Sequence, residues 1–169
     1  MPRSLKSDSK RFKQVLFNLL GNAVKFTFKG EINVTMEYLI PETTTKKPIL
    51  RTTVSDTGIG IKAEEIKKLF QFFGRVASSK HLNRGGMGFG LSISKMIIQQ
   101  LNGTISVESE VDGGSTFTFD IQVEEDGSSS SEESKLTSSQ IGSNIIIRNP
   151  LNARKYASDD TFLNSFNAS

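Results

Sequence analysis

The 169-residue chain is long enough for one domain with a hydrophobic core and some additional length. It contains no Cys and a single His, which excludes disulfides, a Cys nucleophile and His-rich metal clusters. Residues 1–123 hold 17 Lys and Arg against 11 Asp and Glu, a basic balance that suits an anionic ligand without identifying one. No apolar run approaches the roughly 20 residues of a membrane span, so we expect a cytosolic or cytoplasm-facing chain.

The first predicted element is an amphipathic helix with Asp8 or Ser9 as its N-cap. Its apolar residues recur at spacings of three and four. They are Phe12, Val15, Leu16, Leu19, Leu20 and Ala23. Apolar and polar residues then alternate over 31–38, which predicts a half-buried strand, and a second strand is predicted over 49–55.

A short helix with Phe70 follows, and a third helix is predicted over 91–102, ending at Asn102-Gly103. Two strands with alternating apolar residues close the pattern at about residue 123. The order α-β-β-α-α-β-β predicts an α+β fold, a two-layer sandwich with helices on one face of a mixed, mainly antiparallel sheet. We therefore place one domain at 1–124.

Residues 125–169 are predicted to form a separate, mostly disordered tail. Eight of the sixteen residues from Ser128 to Ser143 are Ser, with little apolar surface to bury. The triplet Ile145–Ile147 is apolar but belongs to no sustained period.

Asn18, Asn22 and Lys25 form a polar stripe on the first helix, away from its apolar face. Such a stripe is more often a solvated surface. Two Asn residues are nevertheless a poor choice for one, because Asn is a mediocre helix former. Amide oxygens beside an ammonium suit Mg²⁺ and phosphate.

Asp56 ends the second strand and shares its face with Leu50 and Val54. A carboxylate on that face needs a partner, since burying an unpaired charge is costly. A ligand amine, a water or a distant Arg would all serve. Gly58 and Gly60 follow, and fit either close approach to a ring or an ordinary tight turn.

The segment "RGGMGFGLS" (84–92) places four glycines directly before a helix. Backbone amides at a helix N-terminus form an anion site suited to polyphosphate, although a flexible loop has the same composition. The segment matches neither the dinucleotide G-x-G-x-x-G pattern nor the P-loop, which ends in Lys-Ser/Thr.

Taken in order, these signals resemble the ATP-binding catalytic domain of sensor histidine kinases, in the superfamily of gyrase, mismatch-repair ATPases and the ninety-kilodalton heat-shock chaperones. "RFKQVLFNLLGNAVKFT" is similar to the N box, "DTGIGI" to the G1 box, "LFQFFGRV" to the F box and "GGMGFGLSISK" to the G2 box. The resemblance covers about residues 8–123. The tail has no match.

The resemblance implies ATP and Mg²⁺ as ligands. It implies that Asn22 ligates Mg²⁺, that Asn18 and Lys25 support the phosphates and catalysis, and that Asp56 accepts the adenine amine while the glycines leave room for the ring. The full set of implied ATP contacts is Asn18, Asn22, Lys25, Phe26, Asp56, Gly58, Gly60, Ile61, Phe70, Phe73, Gly86, Met87, Gly88, Phe89, Gly90 and Leu91. Arg75, Lys80 and Arg84 fall in the implied lid, where each is better explained as a solvated charge.

Four features depart from the family pattern. Met87 and Phe89 replace the usual Thr and Leu. Asn18 stands where hydrolysing relatives have a water-activating Glu, and an amide cannot deprotonate water at neutral pH. His81, the only His, lies in the lid and does not fit a phosphoacceptor. The family's first strand has no match either.

The implied function is phosphoryl transfer to a histidine on a separate helical hairpin, with a response-regulator receiver domain downstream and no nucleic-acid partner. A regulatory module that binds nucleotide without transferring phosphate is the alternative. An acid protease also uses D-T-G, but it needs two copies on an all-β fold, and the chain has one copy beside strong helices.

Overall fold

The computed structural model describes residues 5–41, 47–71, 89–125 and 141–148. Its helices are α1 (Ser9–Phe26), α2 (Ala63–Ile66) and α3 (Gly90–Gln100). Local signals set their ends. The Asp8 carboxylate accepts a hydrogen bond from the Arg11 amide at 3.0 Å and caps α1, as predicted.

The predicted stop of α3 is also present. Asn102 adopts the left-handed conformation, with φ of 53°, and the Gly103 amide donates to the Ile98 carbonyl at 2.9 Å. The chain can then reverse directly into the next strand.

Seven strands are described: β1 (Leu5–Lys6), β2 (Glu31–Leu39), β3 (Ile49–Asp56), β4 (Thr104–Glu110), β5 (Gly114–Gln122), β6 (Glu124–Glu125) and β7 (Ile141–Arg148). Five of them form a sheet of order β4-β5-β3-β2-β7, and β1 pairs with β6 in a separate ladder. Every described pairing is antiparallel. This confirms the predicted α+β sandwich, and the sheet, predicted to be mixed and mainly antiparallel, is antiparallel throughout its described pairings.

The core lies between the helices and one face of the sheet. Alternation along the strands directs the apolar residues to that face, where α1 covers them. The buried strand residues are Ile32, Val34, Tyr38, Leu50, Val54, Phe117, Phe119 and Ile121. Those of α1 are Val15, Leu16, Leu19, Leu20, Ala23 and Val24. The predicted apolar stripe of α1 is therefore its core face.

The opposite face of the sheet is polar. Arg51 of β3 and Asp120 of β5 lie opposite each other in the ladder, and their side chains are joined by two hydrogen bonds of 2.9 and 2.8 Å. Hydroxyl pairs continue the row, with Ser55 and Thr116 at 3.0 Å. This face needs no second layer.

The structure differs from the predicted disordered tail at residues 141–148. These residues form β7, which pairs with β2 over eight positions from Glu31↔Arg148 to Tyr38↔Ile141. The main-chain ladder, and not an apolar period within the segment, makes it a strand. Residues 126–140 and 149–169 lie outside the described ranges.

Candidate functional site

Asp56 lies at the end of β3 with 8% of its surface exposed. Its Oδ1 accepts hydrogen bonds from the Gly58 amide at 2.8 Å and from the Thr27 hydroxyl at 3.4 Å. Burial raises the pKa of this carboxyl, and backbone hydrogen bonds from Gly58 and Ser115, followed by the Thr27 hydroxyl, oppose the rise. These donors to Asp56 are all neutral, so within the described residues they leave its charge without a cationic partner.

The turn after Asp56 is clamped between two elements. On one side, the Ile59 amide donates to the Phe26 carbonyl at the end of α1, at 3.3 Å. On the other, the Ile61 amide donates to the Ser109 hydroxyl of β4 at 2.9 Å. The turn is therefore fixed before any ligand arrives.

The contacts around Gly58 and Gly60 give these glycines a structural reason that the sequence did not reveal. A Cβ at Gly58 would lie 2.5 Å from the Phe26 carbonyl oxygen. Gly60 has φ of 66°, and a Cβ there would overlap the Glu110 carbonyl. Glycine is required here by the protein's own backbone. That the glycines also leave room for a ring stays a prediction.

The stripe of Asn18, Asn22 and Lys25 is half-buried. Asn18 Nδ2 donates to the Ser94 hydroxyl on α3 at 2.9 Å, which orients the amide oxygen. Partial burial lowers the pKa of Lys25, and its Nζ lies 5.2 Å from the centroid of the Phe26 ring. The stripe thus faces the space beside α3 and is not a fully solvated surface.

The N-terminus of α3 meets this stripe. A Cβ at Gly90 would overlap the Asn18 amide oxygen, so a larger residue there would displace the Asn18 side chain. The following residue, Leu91, packs against the core, and Phe89 precedes the helix as its N-cap residue. The start of an 11-residue helix, whose first amides have no partner within the helix, therefore lies beside an oriented amide oxygen.

The structure describes only the two ends of the predicted lid. Phe70 is half-buried against the core, and Lys95 Nζ lies 5.8 Å from its ring centroid. The remaining predicted lid residues lie outside the described ranges. They are Phe73, Arg75, Lys80, His81, Arg84, Gly86, Met87 and Gly88.

The described ranges contain no group of three or more His, Cys, Asp or Glu side chains that could hold a metal ion. A divalent cation here would depend on amide and ligand oxygens. Asn22 is a residue of that kind, and Mg²⁺ commonly takes few protein ligands together with substrate phosphates.

Sequence reasoning missed Thr27 and Ser115 as partners of Asp56. Thr27 is fully buried at the C-cap of α1, and Ser115 lies opposite Asp56 on β5. From the sequence, Thr27 could be recognised only as a Thr that directly follows the predicted helix, a common capping position. Its contact with Asp56, 29 residues away, required the fold.

The chain belongs to the histidine kinase-, DNA gyrase B- and HSP90-like ATPase family, whose model matches residues 7–125. Within that family, it carries an ATP-binding catalytic domain of the sensor histidine kinase type, as its relatives indicate.

Sensor histidine kinase AruS of Pseudomonas aeruginosa is 45% identical over 111 residues, which are 66% of this chain and 11% of that kinase. Hybrid signal transduction histidine kinase A of Dictyostelium discoideum is 36% identical over 155 residues, 89% of this chain and 7% of that protein. A continuous match that covers 89% of the chain must extend past residue 148 wherever it begins, so it includes residues 141–148. The chain spans only a small fraction of the length of these relatives.

Two solved structures share the fold. Full-length ShkA in complex with AMPPNP superposes with a TM-score of 0.57 at 28% identity, covering 73% of this chain and 23% of that chain. The catalytic domain of histidine kinase ThkA, in a nucleotide-free form, gives a TM-score of 0.54 at 33% identity, covering 69% and 68%. Among the described helices, none has the length and hydrophobicity needed to span a membrane.

Proposed function

We propose that the chain binds Mg·ATP along α1 and holds the γ-phosphate for transfer to a histidine on a separate helical hairpin. The observation that carries this proposal is that one helix joins both ends of the site. The Phe26 carbonyl holds the turn that follows Asp56, and Asn18 meets the N-terminus of α3. Asn18 and Phe26 are eight positions apart along the helix, a distance of about 12 Å.

Asp56 is the proposed adenine acceptor. Its Oδ1 receives the Gly58 amide and the Thr27 hydroxyl, and the carboxylate is largely shielded from solvent. A neutral exocyclic amine satisfies such a carboxylate without adding a second buried charge. The flanking contacts proposed for the nucleotide are Phe26, Ile61 and Phe70.

The phosphates would lie between Asn18, Asn22, Lys25 and the start of α3, with Asn22 holding Mg²⁺. A bound Mg²⁺ would neutralise charge that builds up on the phosphate oxygens. In transfer, the bond from the γ-phosphorus to its bridging oxygen breaks and a bond to an imidazole nitrogen forms. ADP departs, and the imidazole loses its proton to solvent. Asn18 cannot take a proton from water, which favours transfer over hydrolysis.

Titration with a non-hydrolysable ATP analogue, with and without Mg²⁺, tests the binding part. Asn22→Ala is expected to weaken Mg²⁺-dependent binding roughly tenfold or more. Gln14→Ala, on the exposed face of α1, is the matched control and should bind like the parent. Equal affinities for all three proteins would refute the metal assignment.

The transfer part is tested by mixing the chain with the helical hairpin of a histidine kinase and γ-labelled ATP. The expected product is a labelled, acid-labile phosphohistidine on the hairpin, which a receiver domain can then accept. Measurable ATP binding with no transfer to any hairpin tested would instead support a regulatory nucleotide-binding module.

A further inference from the structure

We propose that the outer edge of β2 is a strand-acceptor site, and that residues 141–148 are a tethered strand that fills it and can leave it. The proposal starts from the sheet order, in which β7 is the outermost strand and β2 its neighbour. Without β7, β2 would present a nine-residue edge of unpaired main-chain groups.

β2 lacks two of the features that commonly discourage pairing at an exposed edge. Between Glu31 and Leu39 it has no Pro and no Lys. Its β-branched and aromatic residues favour strand pairing. A nine-residue edge of this composition is therefore able to accept an extended segment.

β7 is joined to the sheet by its main-chain ladder with β2. Its described side chains are exposed: Ile145 and Ile146 remain 37% and 46% exposed, and Asn144 and Arg148 are exposed as well. An edge strand with such exposed side chains opens at a lower free energy than the core strands do. We therefore treat β7 as an exchangeable strand.

The fit between the strands is also incomplete. Asn33 of β2 lies opposite Ile146, and its Oδ1 is buried without a hydrogen-bond partner within the described residues. A buried acceptor that lacks a donor is unfavourable. The site would thus prefer a strand with a hydrogen-bond donor at this position.

The connection permits release and return. Residues 126–140 join β6 to β7. Fifteen residues reach about 50 Å when extended, whereas the three strand spacings from β5 to β7 total about 14 Å. Tethering at this length gives the strand an effective concentration on the order of millimolar, so the chain's own segment is the favoured occupant.

One end of the acceptor site touches the turn after Asp56. Arg148 lies opposite Glu31, with its Nε 3.9 Å from the Glu31 carboxylate. Glu31 in turn holds Thr57. Its amide donates to the Thr57 hydroxyl at 3.0 Å, and its carbonyl accepts from the Thr57 amide at 3.2 Å. Strand occupancy is therefore coupled to the nucleotide site, a step that rests on the proposed function.

Proline substitutions in the full chain test the acceptor site. The amides of adjacent strand residues point alternately toward and away from the neighbouring strand, so of Asn144→Pro and Ile145→Pro only one removes a ladder hydrogen bond. Hydrogen exchange of the β2 amides should accelerate strongly in one variant and little in the other. Millimolar free peptide IGSNIIIR should reverse the effect. Unchanged β2 protection in both variants, or no effect of the peptide, would overturn the proposal.

A third variant tests whether a hydrogen-bond donor opposite Asn33 makes β7 bind β2 more tightly. Ile146→Thr places a hydroxyl opposite Asn33 and should slow exchange of the β2 amides severalfold, whereas Ile146→Val should not. Faster exchange in the Thr variant would contradict the proposed preference.

Coupling is read from affinity for the ATP analogue. The proline variant that opens β2 should bind it roughly threefold more weakly or worse, and the other should match the parent. Equal affinity in both would overturn the coupling. If the parent itself binds no nucleotide, the proposed function fails, while the exchange experiment still decides the strand site.

Discussion

Two carboxylates on adjacent strands, at opposite faces of the sheet, are satisfied in different ways. On the open face, Asp120 of β5 receives two hydrogen bonds from the Arg51 guanidinium. On the helix-covered face, Asp56 of β3 receives hydrogen bonds from an amide and a hydroxyl. The partly buried Asp120 thus has a cationic partner, and the buried Asp56 has neutral donors.

The two carboxylates therefore have different roles: Asp120 stabilises the sheet, and Asp56 is the proposed ligand group. The Arg51–Asp120 pair is complete within the sheet and joins two strands. Burial raises the pKa of Asp56. A buried acceptor costs folding free energy unless something else uses it. This difference supports the proposal that Asp56 binds a ligand.

The largest expected effect is on nucleotide affinity. Asp56→Asn should weaken binding of the ATP analogue about 10- to 100-fold, since it replaces a charged acceptor of a buried hydrogen bond. Asp120→Asn should leave affinity unchanged. Isothermal titration calorimetry measures both affinities. Equal losses of affinity in the two variants would contradict the proposal that only Asp56 serves the nucleotide.

Stability should show the reverse pattern. Arg51→Met leaves Asp120 without its cation and should lower the free energy of unfolding by about 1 kcal/mol, a modest value because the pair is partly exposed. Lys47→Met, which breaks the more exposed pair with Glu124, should lower the free energy of unfolding less than Arg51→Met does. Urea unfolding gives both values, and equal losses would contradict this ranking.

Thr27 donates one long hydrogen bond to Asp56, at 3.4 Å. Removing the Thr27 hydroxyl should therefore reduce nucleotide affinity less than Asp56→Asn does. Thr27→Val should lower affinity for the ATP analogue by about two- to fivefold. The control is Thr53→Val, whose hydroxyl faces Thr118 on the open face at 3.3 Å. If the two variants bind alike, the Thr27 contact has no role in the site.

The smallest expected effect is on the pH dependence of stability. Because the folded-state pKa of Asp56 is raised, its contribution to stability is fully present below the carboxyl's unfolded pKa and is lost as pH rises through the folded value. Asp56→Asn has no such loss, because the Asn side chain does not titrate. As pH rises through the folded-state pKa of Asp56, the free energy of unfolding of Asp56→Asn should therefore increase relative to that of the nucleotide-free parent. Urea titrations at successive pH values measure this difference. A constant difference would contradict the raised pKa.

Much of this architecture was predictable from local signals. The spacing of apolar residues marked α1, alternation marked β2 and β5, and Asn102-Gly103 marked the end of α3. The inward direction of Asp56 followed from its register with Val54, and the structure places it on the buried face. These features depend on neighbours within a few residues.

The remaining features depend on distant segments. β7 is a strand because β2 offers it a ladder, which its own sequence does not announce. Gly60 is required by the Glu110 carbonyl, about fifty residues away in the chain. The contact between Asn18 and Gly90 likewise exists only once α1 and α3 are packed. The sequence pattern predicted a set of site residues without showing what holds those residues in place.

Base selectivity tests the central claim most directly. Affinities of the parent and Asp56→Asn are measured for ATP and for inosine triphosphate, whose purine carries an oxygen in place of the amine, with Glu108→Gln as an exposed control. The account predicts that the parent and the control prefer ATP at least tenfold and that Asp56→Asn loses the preference. A parent without preference, or an Asp56→Asn variant that keeps it, would contradict the assignment of Asp56 as the adenine acceptor.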